Sequence, residues 1–271
     1  MKMKWTPVSL LIAISVALIV LQACSTAPVT GRRQLKLVSA GQEAQLGLTS
    51  FEQLKKDTPI NKDPALNTMV QRVGKRIADA ASKDMPDAQW EFVVFDSKEA
   101  NAFCLPGGKV GVYSGILPIT KDDAGLATVI GHEVGHAVAH HGAERMSEAM
   151  VMQKAGQYLG AALTTNAQYE AAFMTAYGAG TKVLRELPHD RKQESEADHI
   201  GIIYMARAGY NPTAAVEFWQ RFSAYNQQQG GGQNSFVSRF LSTHPVNEVR
   251  IADLKKLLPE AEAEFAKSKL R

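Results

Sequence analysis

His132-Glu133-Val134-Gly135-His136 decides how the rest of this chain is read. Two histidines four apart lie on one helix face and can present ring nitrogens to one zinc ion, with Glu133 beside them in reach of a water at the metal. In a chain of this length and composition the pattern arises by accident about once in a hundred cases. Its surroundings lower that chance further. Ala127, Val129 and Ile130 precede it and Ala137 and Val138 follow, so the helix reads as buried, where unpaired histidines and a glutamate are costly to desolvate.

A third ligand must come from elsewhere. Extending the pattern with another histidine would need glycine at 139 and histidine at 142, where the chain has Ala139 and Gly142; His140 lies too far along the axis. About sixty residues on stands Glu194-Ser195-Glu196-Ala197-Asp198. Glu194 and Asp198 share a helix face at i, i+4, and a carboxylate is an accepted third ligand where zinc keeps one position for water.

Working outward, Ser39 reads as the N-cap of a helix over 40–56, and apolar spacing predicts an amphipathic helix over 63–82. Trp90 to Phe95 and Lys109 to Tyr113 read as strands, with Leu105-Pro106-Gly107-Gly108 as turn chemistry, giving a small antiparallel sheet. Asp122 and Asp123 cap a long helix through about Arg145; residues 151–183 are Ala-rich and mostly helical. Further helices are expected over 190–208 and from Asn211-Pro212 to about Asn226, before a Gln-Gly loop. The fold class is therefore α+β and predominantly helical.

At the N-terminus, Lys2 and Lys4 precede an apolar run from Val8 to Leu21, the pattern of an export signal and short for a membrane span. Leu21-Gln22-Ala23-Cys24 resembles a bacterial lipobox, which implies lipid on Cys24, and Ser25 in place of Asp favours the outer membrane, facing the periplasm, over the inner. The expected organisation is a signal peptide over 1–23, a lipid-anchored tether over 24–39 and a metallopeptidase domain over 40–271. Without Lys2 and Lys4 the formal charge of +3 falls to +1, since residues 1–23 hold no acids; no basic patch argues for nucleic acid. With Cys24 acylated, Cys104 is either buried or available to a disulfide or assembly partner.

Taken together, Pro28-Val29-Thr30-Gly31-Arg32, Asn101-Ala102-Phe103, Leu105 to Gly108, Gly131 to His136, Glu194 to Asp198, Thr243-His244-Pro245 and Arg250-Ile251 resemble the gluzincin metallopeptidases of the CAAX prenyl protease and HtpX type, specifically their bacterial outer-membrane lipoprotein members. That resemblance implies a zincin-like domain with one catalytic Zn2+ on His132, His136 and Glu194, rather than Glu196, and Glu133 activating a zinc-bound water. Asp198 would orient a ligand imidazole. The strand from Asn101 to Tyr113 would edge the cleft, with Asn101, Phe103, Gly107 and Gly108 meeting substrate, although Leu105 to Gly108 reads equally as a plain turn. His244 is an exposed loop histidine, an oxyanion stabiliser or a cap on the metal. Arg191 and Arg250 pair with site carboxylates or with solvent, and His140, His141, His189 and His199 serve structure or solvent. Cys104 stands where the family carries a small residue. The expected activity is zinc-dependent endopeptidase action on misfolded or outer-membrane proteins; the alternative is a lipoprotein chaperone or assembly factor with latent cleavage.

Overall fold

A computed structural model describes residues 24–160, 191–228, 238–245 and 248–270. The expected signal segment, the Ala-rich stretch past residue 160, His189 and the glycines of the Gln-Gly run lie outside the described residues.

Side-chain caps open several of the helices. Helix α1 (Ala40–Asp57) opens on a capping box: Ser39 Oγ accepts from the Gln42 amide at 3.3 Å, and Gln42 Oε1 accepts from the Ser39 amide at 3.1 Å. Helix α2 (Pro64–Ala81) has Asp63 accepting from the Ala65 amide at 2.8 Å, with proline at the first position, where no amide hydrogen is needed. After a short helix α3 (Leu117–Thr120), Asp122 caps α4 (Asp123–Val138) by accepting from Gly125 at 2.9 Å. Helices α6 (Arg191–Arg207) and α7 (Thr213–Gln228) also match expectation.

Helix α4 does not run on to Arg145. It stops at Val138, His140 takes a left-handed φ of 54°, and a separate helix, α5 (His141–Gly160), starts at the next residue. The break has a partner: His140 Nδ1 lies 3.0 Å from Glu43 of α1, a buried carboxylate. Two further helices, α8 (Ser238–Thr243) and α9 (Glu248–Ser268), complete the C-terminal part; α9 had not been anticipated.

The segment expected as a tether is ordered against the domain. Strands β1 (Cys24–Thr26) and β2 (Arg33–Leu35) form an antiparallel hairpin, held down by Arg32, which bonds Glu144 bidentately at 2.7 Å and Glu196 at 2.6 Å. The larger sheet holds β3 (Glu91–Phe95), β4 (Ala102–Leu105) and β5 (Lys109–Tyr113) in the order β3-β5-β4. The two segments read as strands, β3 and β5, pair in parallel and not antiparallel; the antiparallel partner of β5 is β4, a strand the sequence reading does not include. Because β4 takes the edge instead of the middle, the chain reverses twice before β5 docks on β3.

Helix α4 is the centre of the fold, buried from Gly125 to Val138. It packs on α2, α7 and β4, and most extensively on α6, which α9 covers in turn. Glycines allow that crossing. A Cβ at Gly201 would stand 2.8 Å from Gly131 C and the His132 amide nitrogen, and one at Gly135 would stand 2.7 Å from the Ala197 carbonyl oxygen. Gly201→Ala should lower unfolding free energy by about 1–3 kcal/mol in chemical denaturation. Gly41→Ala, with open space around it, should be neutral or stabilising.

Candidate metal centre

The helix crossing brings His132 and His136 of α4 against Glu194 of α6, and the loop after α8 adds His244; all four are buried. Their donor atoms are mutually spaced as around one small ion. His132 Nε2 is 3.0 Å from His136 Nε2, 3.1 Å from His244 Nδ1 and 3.5 Å from Glu194 Oε2. Glu194 Oε1 is 3.2 Å from His136 Nε2 and 3.0 Å from His244 Nδ1. A tetrahedral zinc with bonds of about 2.0–2.1 Å sets its ligand atoms about 3.3–3.4 Å apart, so the donor set fits that ion.

Charge points the same way. Glu133, Glu194 and Asp198 are three buried carboxylates facing one buried guanidinium, Arg250, an excess of negative charge suited to a divalent cation. Burial would raise Glu194, but His244, Arg250 and His132 hold its carboxyl well below the usual range. Burial would lower His132, yet Glu194 and Asp198 raise it to about 9. Burial together with His132 depresses His136 despite Glu194, favouring the neutral, ligating form. Glu133 is raised, chiefly by burial, and its Oε1 makes no hydrogen bond among the described residues, lying 3.4 Å from His244 Nε2.

Asp198 sits behind His132, its Oδ1 2.9 Å from Nδ1. Arg250, from α9, bonds Asp198 through Nε (2.7 Å) and Nη2 (2.8 Å), places Nη1 2.9 Å from Glu194 Oε2 and stacks 3.6 Å over the Trp219 ring. Of the two arginines considered, Arg250 is the clamp on both carboxylates; Arg191 is exposed. His244 is buried against Phe240, with ring centroids 4.5 Å apart, so the exposed-loop expectation does not hold.

The expected cleft residues are placed otherwise. Successive strand residues face opposite sides. In β4, Ala102 and Cys104 join the core shared with α4, whereas Phe103 and Leu105 join the smaller cluster with Phe51 of α1. Phe103 meets Phe51 edge-on at 6.2 Å. Asn101 is buried, its side-chain oxygen accepting from the Ala102 amide. Gly107 and Gly108 have φ of +81° and +82° and lie against Ala44 and Trp90. Cys104 is buried and free, its thiol raised by burial and by Glu133, an inert state.

His141 and Glu196 are site neighbours that sequence reasoning passed over. His141, fully buried, lies with Nδ1 2.8 Å from His136 Nδ1 and Nε2 2.9 Å from Glu196 Oε2.

A family model, peptidase family M48, matches residues 64–258. This chain belongs to that family. Membership makes it a zinc-dependent metallopeptidase, a hydrolase of internal peptide bonds. The chain is 33% identical over 260 residues to the mitochondrial metalloendopeptidase OMA1 of Saccharomyces cerevisiae, covering 89% of this chain and 71% of that protein. It is 34% identical to the OMA1 of Schizosaccharomyces pombe, over 87% of this chain and 66% of that one. Against the beta-barrel assembly-enhancing protease of Escherichia coli the identity is 28%, over 86% of this chain and 47% of the relative. The chain thus spans about half to two thirds of these relatives.

If Asp198 fixes the His132 imidazole, Asp198→Asn should weaken zinc binding about 10–100-fold in competition with a chromophoric chelator.

Proposed function

We propose that this chain is an endopeptidase of the bacterial envelope, attached by lipid on Cys24 to the outer membrane and facing the periplasm, that cuts unfolded or outer-membrane proteins. The observation that carries the chemical part is Glu133, buried at the edge of the four-residue donor set with one oxygen that makes no hydrogen bond among the described residues. The location rests on Lys2, Lys4, the apolar run and Ala23-Cys24-Ser25. The substrate class is supported by the name of the Escherichia coli relative, which concerns β-barrel assembly.

In this reading His132, His136 and Glu194 hold the metal. Zinc, when bound, acidifies a water toward a pKa of about 7 and polarises the scissile carbonyl. Glu133 takes the water's proton and returns it to the leaving amine; burial raises its pKa, which makes the carboxylate a stronger base. Asp198 and Arg250 fix the ligands from behind. Substrate lies extended along β4, an edge strand packed on α4 whose only strand partner among the described residues is β5, and is read through its backbone.

His244 gives this enzyme a resting state. Its Nδ1 lies within the same donor group, 3.0 Å from Glu194 and 3.1 Å from His132, and with zinc held there it would occupy the place that water and carbonyl need. Peptide hydrolysis therefore requires the loop after α8 to withdraw. The closed vertex also favours, as a second reading, a binding or assembly factor whose cleavage is latent.

Glu133→Gln should lower kcat for an unfolded protein by about 10²–10⁴-fold while zinc binding persists, and a chelator should abolish cleavage until zinc is restored. Equal cleavage by wild type and variant would overturn the assignment. His244→Ala should increase cleavage, on the order of tenfold, by removing the closed population; a loss of kcat would instead make His244 part of the reaction.

A further inference from the structure

A chain of four side chains runs from the N-terminal hairpin to a metal ligand. Taking His136 as a ligand through Nε2, the reading proposed above, its Nδ1 must carry the proton, since a neutral imidazole has one N–H. That N–H faces His141 Nδ1 at 2.8 Å, so His141 accepts there and carries its own proton on Nε2. His141 Nε2 in turn donates to Glu196 Oε2 at 2.9 Å. Glu196 accepts from Arg32 Nε at 2.6 Å and, through its other oxygen, from the Thr30 hydroxyl. Every donor thereby has an acceptor, and the order admits one set of tautomers.

We propose that His141, Glu196 and Arg32 are positioning residues for the metal centre: they lock the tautomer and orientation of His136, making the hairpin over residues 24–35 a working part of the zinc site.

The other ligand histidine has a single carboxylate behind it, Asp198. Behind His136 a second imidazole is interposed, which extends the same support outward to a carboxylate on the far side of α6. Glu196 serves this purpose because residues two apart on a helix point about 200° apart: Glu194 faces the metal group, and Glu196 faces the hairpin. Arg32 is held in place by its bidentate pairing with Glu144, which also accepts from Gln193 at 2.9 Å. His141 reaches His136 only because of the break at His140. On an unbroken helix, positions five apart differ by about 140° around the axis, and the ring would point away. The break, the hairpin and the buried Glu196 all serve one contact.

The test uses the full chain from Cys24 and reads zinc affinity by chelator competition, the Co2+ absorption spectrum of the substituted protein, and unfolding of the metal-free protein. His136→Ala checks the underlying reading: wild type should bind one zinc and this variant should lose it, and if it does not, His136 is no ligand and the positioning role falls with it. His141→Phe and Glu196→Gln should each weaken zinc about 10–100-fold and shift the Co2+ bands, and the double variant should be no weaker than the poorer single one, because the two act through one contact. Arg32→Met should weaken zinc less, with Arg32→Lys recovering part of the loss. Should His141→Phe fail to fold, Glu196→Gln, which keeps size and acceptor, decides with Arg32→Met. Unchanged zinc affinity and Co2+ spectrum in folded Glu196→Gln and Arg32→Met, or losses that multiply in the double variant, would overturn the proposal and leave a purely structural hairpin.

Discussion

The contact between the backbones of α4 and α6 governs the rest of the molecule. Where Gly131 and Gly201 meet, no side chain separates the helices, so His132 beside that point and His136 a turn on come within reach of Glu194, about two turns back along α6. His132 and His136 extend from one backbone and Glu194 and Asp198 from the other, and the reach of each is short. Ordinary helix packing at 8–10 Å between axes with a larger residue at the crossing would leave the glutamate short of the imidazoles.

Bringing those groups together creates an electrostatic problem that the remaining elements address. Three carboxylates out of water are unfavourable unless paired and hydrogen-bonded. Arg250 answers two of them at once from α9, with its planar fork on Asp198, one nitrogen toward Glu194 and its face on Trp219. Glu196, a fourth carboxylate and like Glu194 and Asp198 on α6, is held to about 2 although burial acts the other way, through His141, Thr30 and Arg32. The carboxylate left least compensated is Glu133, the residue assigned the proton transfers. Function and incomplete satisfaction coincide there, as is common where a fold keeps a reactive group ready.

Much of this was legible in the sequence because it is local. Helix periodicity alone puts His132 beside His136 and Glu194 beside Asp198, and caps such as Ser39 and Asp122 announce helix starts within a residue or so. What was not legible depends on long-range placement. Arg250 reads as a partner of site carboxylates or of solvent, and only the docking of α9 on α6 decides for the carboxylates. His141 is silent because its role depends on a left-handed residue at His140 that only a buried partner on α1 explains. The parallel pairing of β3 with β5 depends on which strand takes the edge, a choice made by packing of Ala102 and Cys104 on α4. Phe103 was misplaced by face, since a strand's alternation is fixed while its phase is set by the neighbouring layers.

Cys24 lies in strand β1 and pairs with Leu35 of β2, as Ser25 does with Gln34 and Thr26 with Arg33. A diacylglycerol there would join the bilayer to the domain with almost no slack. Instead of sampling a wide volume on a flexible leash, the protein would ride close to the lipid surface at a nearly fixed height and tilt. Its encounters would be restricted to chains emerging within a thin layer, where the effective concentration of such partners is high and that of soluble periplasmic proteins contributes little.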